Sequence, residues 1–429
     1  MKNNVIKPSI LSGFLELLPK EQQVFNDMAK KITEVYEKNG CMNIDTPIIE
    51  KSEILLAKTG GETQKQVYRF TKGKNDLALR FDLTVPLARY VAQNYNDLTF
   101  PFKRYQIGKA YRGERNQRGR YREFYQCDVD VIGKNTLSIK NDGWIISLAS
   151  KAFKSIGLTG YKFQISNRKI LKSIIDELEI KNSLEVMVLI DKYDKIGKIQ
   201  FENRMEEIVG AYQCKYISNV LDIQGTKDEV IEQLDKLNIK NPLFIQGIKE
   251  LKEVKSMLEM LGVGTEEFEI NLKIIRGLDY YTGTVFETML MGNEEFGSIC
   301  SGGRYDNLAQ NYTENLLPGV GISIGLTRLF FILKEIGFVD KYQIKGGLDY
   351  LIIPIGNTLE YCIKVMKCLG EKGYGATIYF EDDTLKKKMN YGNKIGAENV
   401  VLIGEEEVAK KEIKIKNMKS GSTINFKIE

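Results

Sequence analysis

Two runs of strand-forming residues, 103–111 and 121–131, stand on either side of a polar loop from Gly113 to Arg120. Together they read as one long antiparallel hairpin, which commits the chain around it to an antiparallel sheet. At a period of two, Arg122, Phe124, Gln126, Asp128 and Asp130 share a face opposite Tyr121, Glu123, Tyr125, Cys127 and Val129. A stripe of Gln126, Asp128 and Asp130 along a strand requires either water, as on a sheet edge, or a ligand pocket in front of it. The loop favours the pocket. Arg112, Arg115, Arg118, Arg120 and Arg122 crowd it, although lysine is the common cation elsewhere in the chain. Guanidinium groups are planar forks that match phosphates and carboxylates.

The chain has 429 residues, more than one ordinary core accommodates, so two or three domains are expected. Val24, Met28, Ile32, Val35 and Tyr36 recur at helical spacing over 20–38, ended by Asn39-Gly40. Residues 77–81 read as a strand and 84–94 as a helix opened by Thr84 and Pro86. Residues 166–265 are Lys- and Glu-rich and read as a helical insertion. Strands return at 284–291, 297–301 and 319–324, followed by a helix over 325–336. Lys345-Gly346-Gly347 is the candidate linker. Beyond it strands at 351–353, 377–380 and 400–403 alternate with helices, and Leu359, Cys362, Met366 and Leu369 form one apolar face. That order implies a small α/β domain with a largely parallel sheet.

Composition removes several chemistries. There is no histidine, so Ser-His-Asp and Cys-His catalysis and His-ligated metals are excluded. The six cysteines are scattered and form no Cys-x-x-Cys pair, which reads as reduced cytosolic thiols with no zinc site. The net charge of +5 permits an RNA partner without arguing for one. No stretch has the ~20 apolar residues a membrane helix needs, so no membrane partner is expected.

Three glycine-rich segments complete the pocket candidates. Arg276-Gly277-Leu278-Asp279-Tyr280-Tyr281 pairs two tyrosines with an arginine beside a glycine. Ser301-Gly302-Gly303-Arg304-Tyr305-Asp306 reads as a glycine turn. Gly319 to Arg328 runs from strand into helix, placing Arg328 in a first helical turn where anions are favoured. No phosphate-loop or dinucleotide glycine motif occurs.

These segments resemble a class II aminoacyl-tRNA synthetase, of the histidyl-tRNA synthetase family. The piece ending at Pro47 looks like the first class II motif, Arg112 to Glu114 with the hairpin like the second, and Gly325 to Arg328 like the third. Leu79-Arg80-Phe81-Asp82-Leu83-Thr84, Gly119 to Phe124 and Arg276 to Tyr281 resemble the histidine-specific branch, and the likeness spans nearly the whole chain. It implies an α+β catalytic domain over 1–335 with a mainly antiparallel sheet and the helical insertion at about 166–265. An α/β anticodon-binding domain over 347–429 follows.

The resemblance also assigns roles. Arg276 and Arg112 are the catalytic residues. Arg112, Glu114 and Arg328 bind ATP. Asp82, Thr84, Gln126, Asp130, Tyr280 and Tyr281 bind L-histidine. Arg115, Gln117 and Arg118 meet the acceptor end of tRNA(His). Mg2+ accompanies the ATP phosphates, with no protein side chain assigned to a metal, and a cytoplasmic homodimer is implied. Leu15 and Glu16 stand where an Arg-x-Asp-like pattern is usual, Gly143-Trp144 replaces Ala-Glu, and Thr327 stands where Glu is typical. The other reading of the same resemblance is a histidine-sensing regulatory subunit of ATP phosphoribosyltransferase. Arg276 and residues 347–429 argue against it, because such paralogues typically lack both. The absent histidine takes on meaning if histidine is the substrate, since such a chain can be made when that amino acid is scarce.

Overall fold

The computed structural model describes residues 6–57, 61–115, 117–275, 280–342 and 348–427, and the chain divides into two compact units, Met1–Lys341 and Tyr342–Glu429. The linker candidate Lys345-Gly346-Gly347 lies outside the described residues.

Among the described residues of the first unit, eight strands form one sheet. They are β1 (Met42–Asn43), β2 (Phe102–Tyr111), β3 (Glu123–Ile132), β4 (Tyr161–Asn167), β5 (Phe268–Ile270), β6 (Thr284–Leu290), β7 (Cys300–Tyr305) and β8 (Gly319–Ile324). Their order is β1-β2-β3-β8-β7-β6-β4-β5. Only the pairs at the two margins, β1 with β2 and β4 with β5, run parallel. The hairpin registers from Phe102↔Ile132 to Tyr111↔Glu123, and β8 covers the other side of β3 from Gly319↔Ile132 to Ile324↔Cys127. With β3 in the interior of the sheet, water on a sheet edge is excluded as the reason for its polar stripe.

Three helices brace this sheet. Helix α1 (Pro19–Lys38) buries Val24, Phe25, Met28, Ile32 and Tyr36 at the expected spacing. The Phe25 ring meets Tyr125 of β3 and Phe330 edge-on at 5.4 and 5.5 Å. Helix α2 (Thr84–Gln93) packs Val85, Leu87, Ala88 and Val91 into a core with Phe102, Ile132 and Tyr305. Helix α3 (Lys140–Ser155) lies against the insertion, which runs from α4 (Arg168–Glu177) to α5 (Pro242–Met260). Its start is later than expected, because 166–167 belong to β4. Gly143 makes the α3–α5 approach possible: a Cβ there would sit 2.6 Å from Met257 Cβ. The Trp144 ring takes the Lys103 ammonium 4.0 Å from its centroid.

The glycine turn expected at Ser301–Asp306 is instead strand β7, and the strand expected at 297–301 starts at Cys300. The glycines serve contact rather than chain reversal. A Cβ on Gly302 would lie 2.1 Å from the Gly321 carbonyl oxygen, and one on Gly303 would lie 2.8 Å from the Tyr281 ring. On β8, a Cβ on Gly319 would meet Tyr305 at 2.4 Å and one on Gly321 would meet Asp130 Oδ1 at 1.9 Å. Glycine inside a strand marks such close approaches. Gly302→Ala, which forces backbone against backbone, is expected to cost about 3 kcal/mol of stability by chemical denaturation. An unchanged midpoint would refute the packing argument.

The strand expected at 77–81 forms as Asn75–Leu79, in a small sheet with Ile49–Lys51 and Arg69–Lys72. Just beyond it Arg80 is buried, with Nε donating to the Lys109 carbonyl at 2.7 Å and Nη1 to that of Thr46. These bonds pin the Leu79–Asp82 segment across β2.

In the second unit, β9 (Tyr350–Pro354), β10 (Ala376–Ile378), β11 (Asn399–Ile403), β12 (Glu412–Asn417) and β13 (Thr423–Lys427) form a sheet in the order β10-β9-β11-β12-β13. The first three are parallel, and the last two return antiparallel. Helix α6 (Leu326–Glu335) closes the first unit, and α7 (Leu359–Glu371) buries Cys362, Val365 and Leu369 in the second. Leu359 is exposed, and the buried face is centred instead on Cys362, Val365 and Leu369. Among the described residues no helix is long and apolar enough to cross a membrane.

Candidate active site

The polar stripe of β3 opens onto a cavity of about 240 Å³. Its walls bring together Asp82, Thr84, Arg112, Glu114, Gln126, Asp130, Tyr280, Tyr281 and Arg328, all named above from the sequence. Arg276 lies outside the described residues. Arg115, Gln117 and Arg118 are not part of the wall. Arg118 pairs with Glu335 instead, and its guanidinium lies 5.0 Å from the Phe296 ring.

The arginines of the hairpin resolve into separate tasks. Arg112 and Arg122 close the turn by an N–H to carbonyl bond of 2.9 Å, and Arg112 Nε donates to the Phe81 carbonyl at 2.9 Å. The Arg112 guanidinium lies 5.1 Å from the Phe124 ring, which fixes its plane at the cavity wall. Arg120 pairs with Glu114 at 3.1 Å. Arg122 precedes β3 and is not on the stripe. Its backbone N–H donates to the Gly13 carbonyl and its side chain to those of Glu114 and Ser12. Arg328, third residue of α6, donates to the carbonyls of Ser298 at 2.9 Å and Gly119 at 3.3 Å. Its neighbour Thr327 accepts the Tyr125 N–H at 2.8 Å, continuing the β3 ladder past its last partner in β8.

The other end of the cavity is acidic. Asp82 is buried, and its Oδ1 caps α2 by accepting the Val85 N–H at 3.1 Å. Burial pushes its carboxyl up to about 6, against the Val85 bond and the Arg112 charge. Asp128 is pushed up to about 7, by burial first and by the neighbouring Asp130 and Asp82, with Arg104 opposing. Asp130 pairs with Arg104 at 2.6 Å and accepts the Tyr305 hydroxyl at 2.7 Å. Its carboxyl is also raised by burial, with Arg104 and Tyr305 opposing. Gln126 Nε2 donates to Ser323 Oγ at 2.6 Å. The rings of Tyr280 and Tyr281 sit 4.8 Å apart, with Tyr305 edge-on to Tyr280 at 6.1 Å.

Arg104, Tyr305, Ser323 and Asp128 went unassigned from the sequence. Arg104 carried no distinguishing signal, since it stands beside Lys103 in a strand that also holds Lys109. Tyr305 carried none, since its partner Asp130 is 175 residues away. Chemically, the site offers fixed cations for phosphate or carboxylate at the hairpin end and buried carboxylates for a cation at the other. That polarity suits an amino acid laid against a nucleoside triphosphate.

Residues 13–329 match a family model described as Histidyl-tRNA synthetase, and residues 349–429 one described as Anticodon binding domain. The histidine–tRNA ligase of Clostridium acetobutylicum is 61% identical, covering 100% of this chain and 99% of its own. The crystal structure of histidyl-tRNA synthetase from Nostoc sp. PCC 7120 has a TM-score of 0.88 and 34% identity, covering 99% of this chain and 97% of that one. A Bacillus halodurans C structure, described as an ATP phosphoribosyltransferase regulatory subunit/histidyl-tRNA synthetase, shares the fold at 21% identity and a TM-score of 0.78, covering 93% of this chain and 99% of that one.

Proposed function

This chain belongs to the histidyl-tRNA synthetase family, and we propose that it is a histidine–tRNA ligase, activating L-histidine with ATP and transferring it to tRNA(His). The observation that carries the reading is a single cavity with arginines at its hairpin end and buried carboxylates along the rest of β3. A carboxylate oxygen of L-histidine attacks the α-phosphorus, the bond to pyrophosphate breaks, and histidyl-adenylate remains. A ribose hydroxyl at the tRNA end then attacks the carbonyl carbon, and AMP leaves. With no imidazole in the chain, the hydroxyl proton goes to a carboxylate or to the adenylate phosphate.

Arg112 holds the α-phosphate and the substrate carboxylate, Arg328 the γ-phosphate, and Glu114 the adenine side. Asp82, Thr84 and Gln126 take the α-ammonium. Asp130 and Tyr281 take the two ring nitrogens, with Tyr280 packed beside them. A site built to pair both nitrogens rejects side chains that cannot, leaving its own polar groups unpaired. ATP arrives as its magnesium complex.

Histidine-dependent ATP–pyrophosphate exchange tests the reading, and exchange at background would reject it in favour of the regulatory subunit. Residues 349–429, with their match to the anticodon-binding domain, favour the ligase. Arg276 is assigned to charge stabilisation at the α-phosphorus, so Arg276→Ala is expected to lower exchange at least ~100-fold while histidine binding holds. Equal losses would make it a binding residue. Arg115, Gln117 and Arg118 are assigned to the tRNA acceptor end, which requires Arg118 to leave Glu335. Arg118→Ala should therefore slow aminoacylation more than exchange. A cytoplasmic homodimer is part of the same proposal, and the exposed apolar Met42 of β1, with Ile48 and Ile49 shortly beyond it, supports the homodimer. A monomer by light scattering would remove it.

A further inference from the structure

Asp128 is buried, lines the cavity and has no task in the reading above. It lies directly across from Ser323 in the β3–β8 register. The Ser323 oxygen accepts from Gln126 Nε2 at 2.6 Å, so its own proton points elsewhere, and the Asp128 carboxylate directly across the register is the acceptor in front of it. A hydroxyl has one proton to give. Committed to Asp128, that proton is not available to Gln126, so the Gln126 amide must turn its nitrogen to Ser323. Its oxygen is then left to the cavity. Gln126 Oε1 is indeed buried with no hydrogen-bond partner among the described residues, and Asp128 Oδ1 is likewise. Without an acceptor at 128, Ser323 can donate to Gln126 instead, the amide can flip, and an N–H donor then faces the substrate cation.

We propose that Asp128 is a positioning residue for the amino-acid substrate, acting through Ser323 to make Gln126 present its oxygen to the α-ammonium. The inference rests on the ligase reading for the identity of the ligand. The groups around Asp128 are Asp82, Arg104, Asp130 and Tyr36. Counting Asp128 itself, the cluster holds three carboxylates and one full cation, Arg104, so a bound ammonium also relieves charge that the free protein holds at a cost.

Calorimetric binding of L-histidine and of 3-(imidazol-4-yl)propanoate, which lacks the ammonium, separates this role from a structural one. Asp128→Ala and Ser323→Ala are expected to weaken L-histidine by about 10-fold or more, the loss of one hydrogen bond to a charged group. Both should leave the propanoate within about twofold of wild type, by the same arithmetic. Asp128→Asn, whose amide oxygen still accepts from Ser323, should recover most of the loss. Equal weakening of both ligands, or no weakening of either, overturns the proposal. Wild-type exchange is read separately, so a protein that binds L-histidine without exchange rejects the ligase reading while leaving Asp128 tested.

A different observation carries a second inference. The 429 residues include no histidine, yet Asn182, Asn219 and Asn393 are exposed positions where an imidazole meets no packing constraint. Folding does not account for the absence. We infer that the composition keeps synthesis of this enzyme independent of its own product when histidine runs short. In a histidine auxotroph limited for histidine, pulse-labelled synthesis of the wild-type chain should fall less than that of the Asn182→His/Asn219→His/Asn393→His variant. Equal falls overturn the inference.

Discussion

Arg112→Ala is expected to lower histidine-dependent exchange by about 10³-fold or more, with the protein still folded. The expectation follows from where the guanidinium sits. Its Nε is committed to the Phe81 carbonyl and its plane is set beside Phe124, so the group is held in place before any ligand arrives. A donor fork fixed in advance costs little reorganisation when charge builds at the α-phosphorus, and its assigned ligands, phosphate and substrate carboxylate, are both anionic. Arg112→Lys keeps the charge but not the fork, and should recover only a small part of the loss. The stability change should be small, about 1 kcal/mol for one partly buried hydrogen bond. Exchange within tenfold of wild type would show that Arg112 positions the Phe81 segment and leaves the chemistry to others.

The hairpin shows how far a sequence alone carries such an argument. Its two strands and the polar stripe follow from a period of two, and the sheet needed no further information to bring Gln126, Asp128 and Asp130 to one surface. The arginines were legible as a group but not one by one. Arg122 lies just outside the strand, where alternation no longer assigns a face, and it braces the Ser12–Gly13 segment instead. Gly302 and Gly303 misled because glycine signals both turns and close strand contacts, and only the neighbours at Gly321 and Tyr281 decide which applies. Arg104 opposite Asp130 is a register fact: the pair is adjacent only once Phe102 is set against Ile132. The positioning chain through Ser323 depends on β8 lying beside β3, a pairing of segments nearly 200 residues apart.

Arg104→Leu is expected to destabilise the first unit by about 3–5 kcal/mol, the largest loss for any single change at the site. Arg104 is fully buried, and removing it leaves Asp130 as a carboxylate without its counter-charge. The Asp130 carboxyl, already raised by burial, then rises further for want of the opposing charge. Arg104 has a second task, because its Nη2 donates to the Leu83 carbonyl at 3.2 Å. That bond ties the segment carrying Asp82 and Thr84 to the strand carrying the Asp130 partner, so one side chain couples the end of the cavity proposed for the ammonium to the end proposed for the ring. The double change Arg104→Leu/Asp130→Leu separates the two contributions. Removing both charges relieves the uncompensated burial and should restore much of the stability. L-histidine binding should not return, because the ring loses its acceptor and Leu83 keeps no tether. Denaturation midpoints and calorimetry on the three proteins decide the matter. A double variant as unstable as Arg104→Leu would mean that the Leu83 bond, rather than charge burial, dominates. Recovered histidine affinity would remove Asp130 from the recognition of the ring.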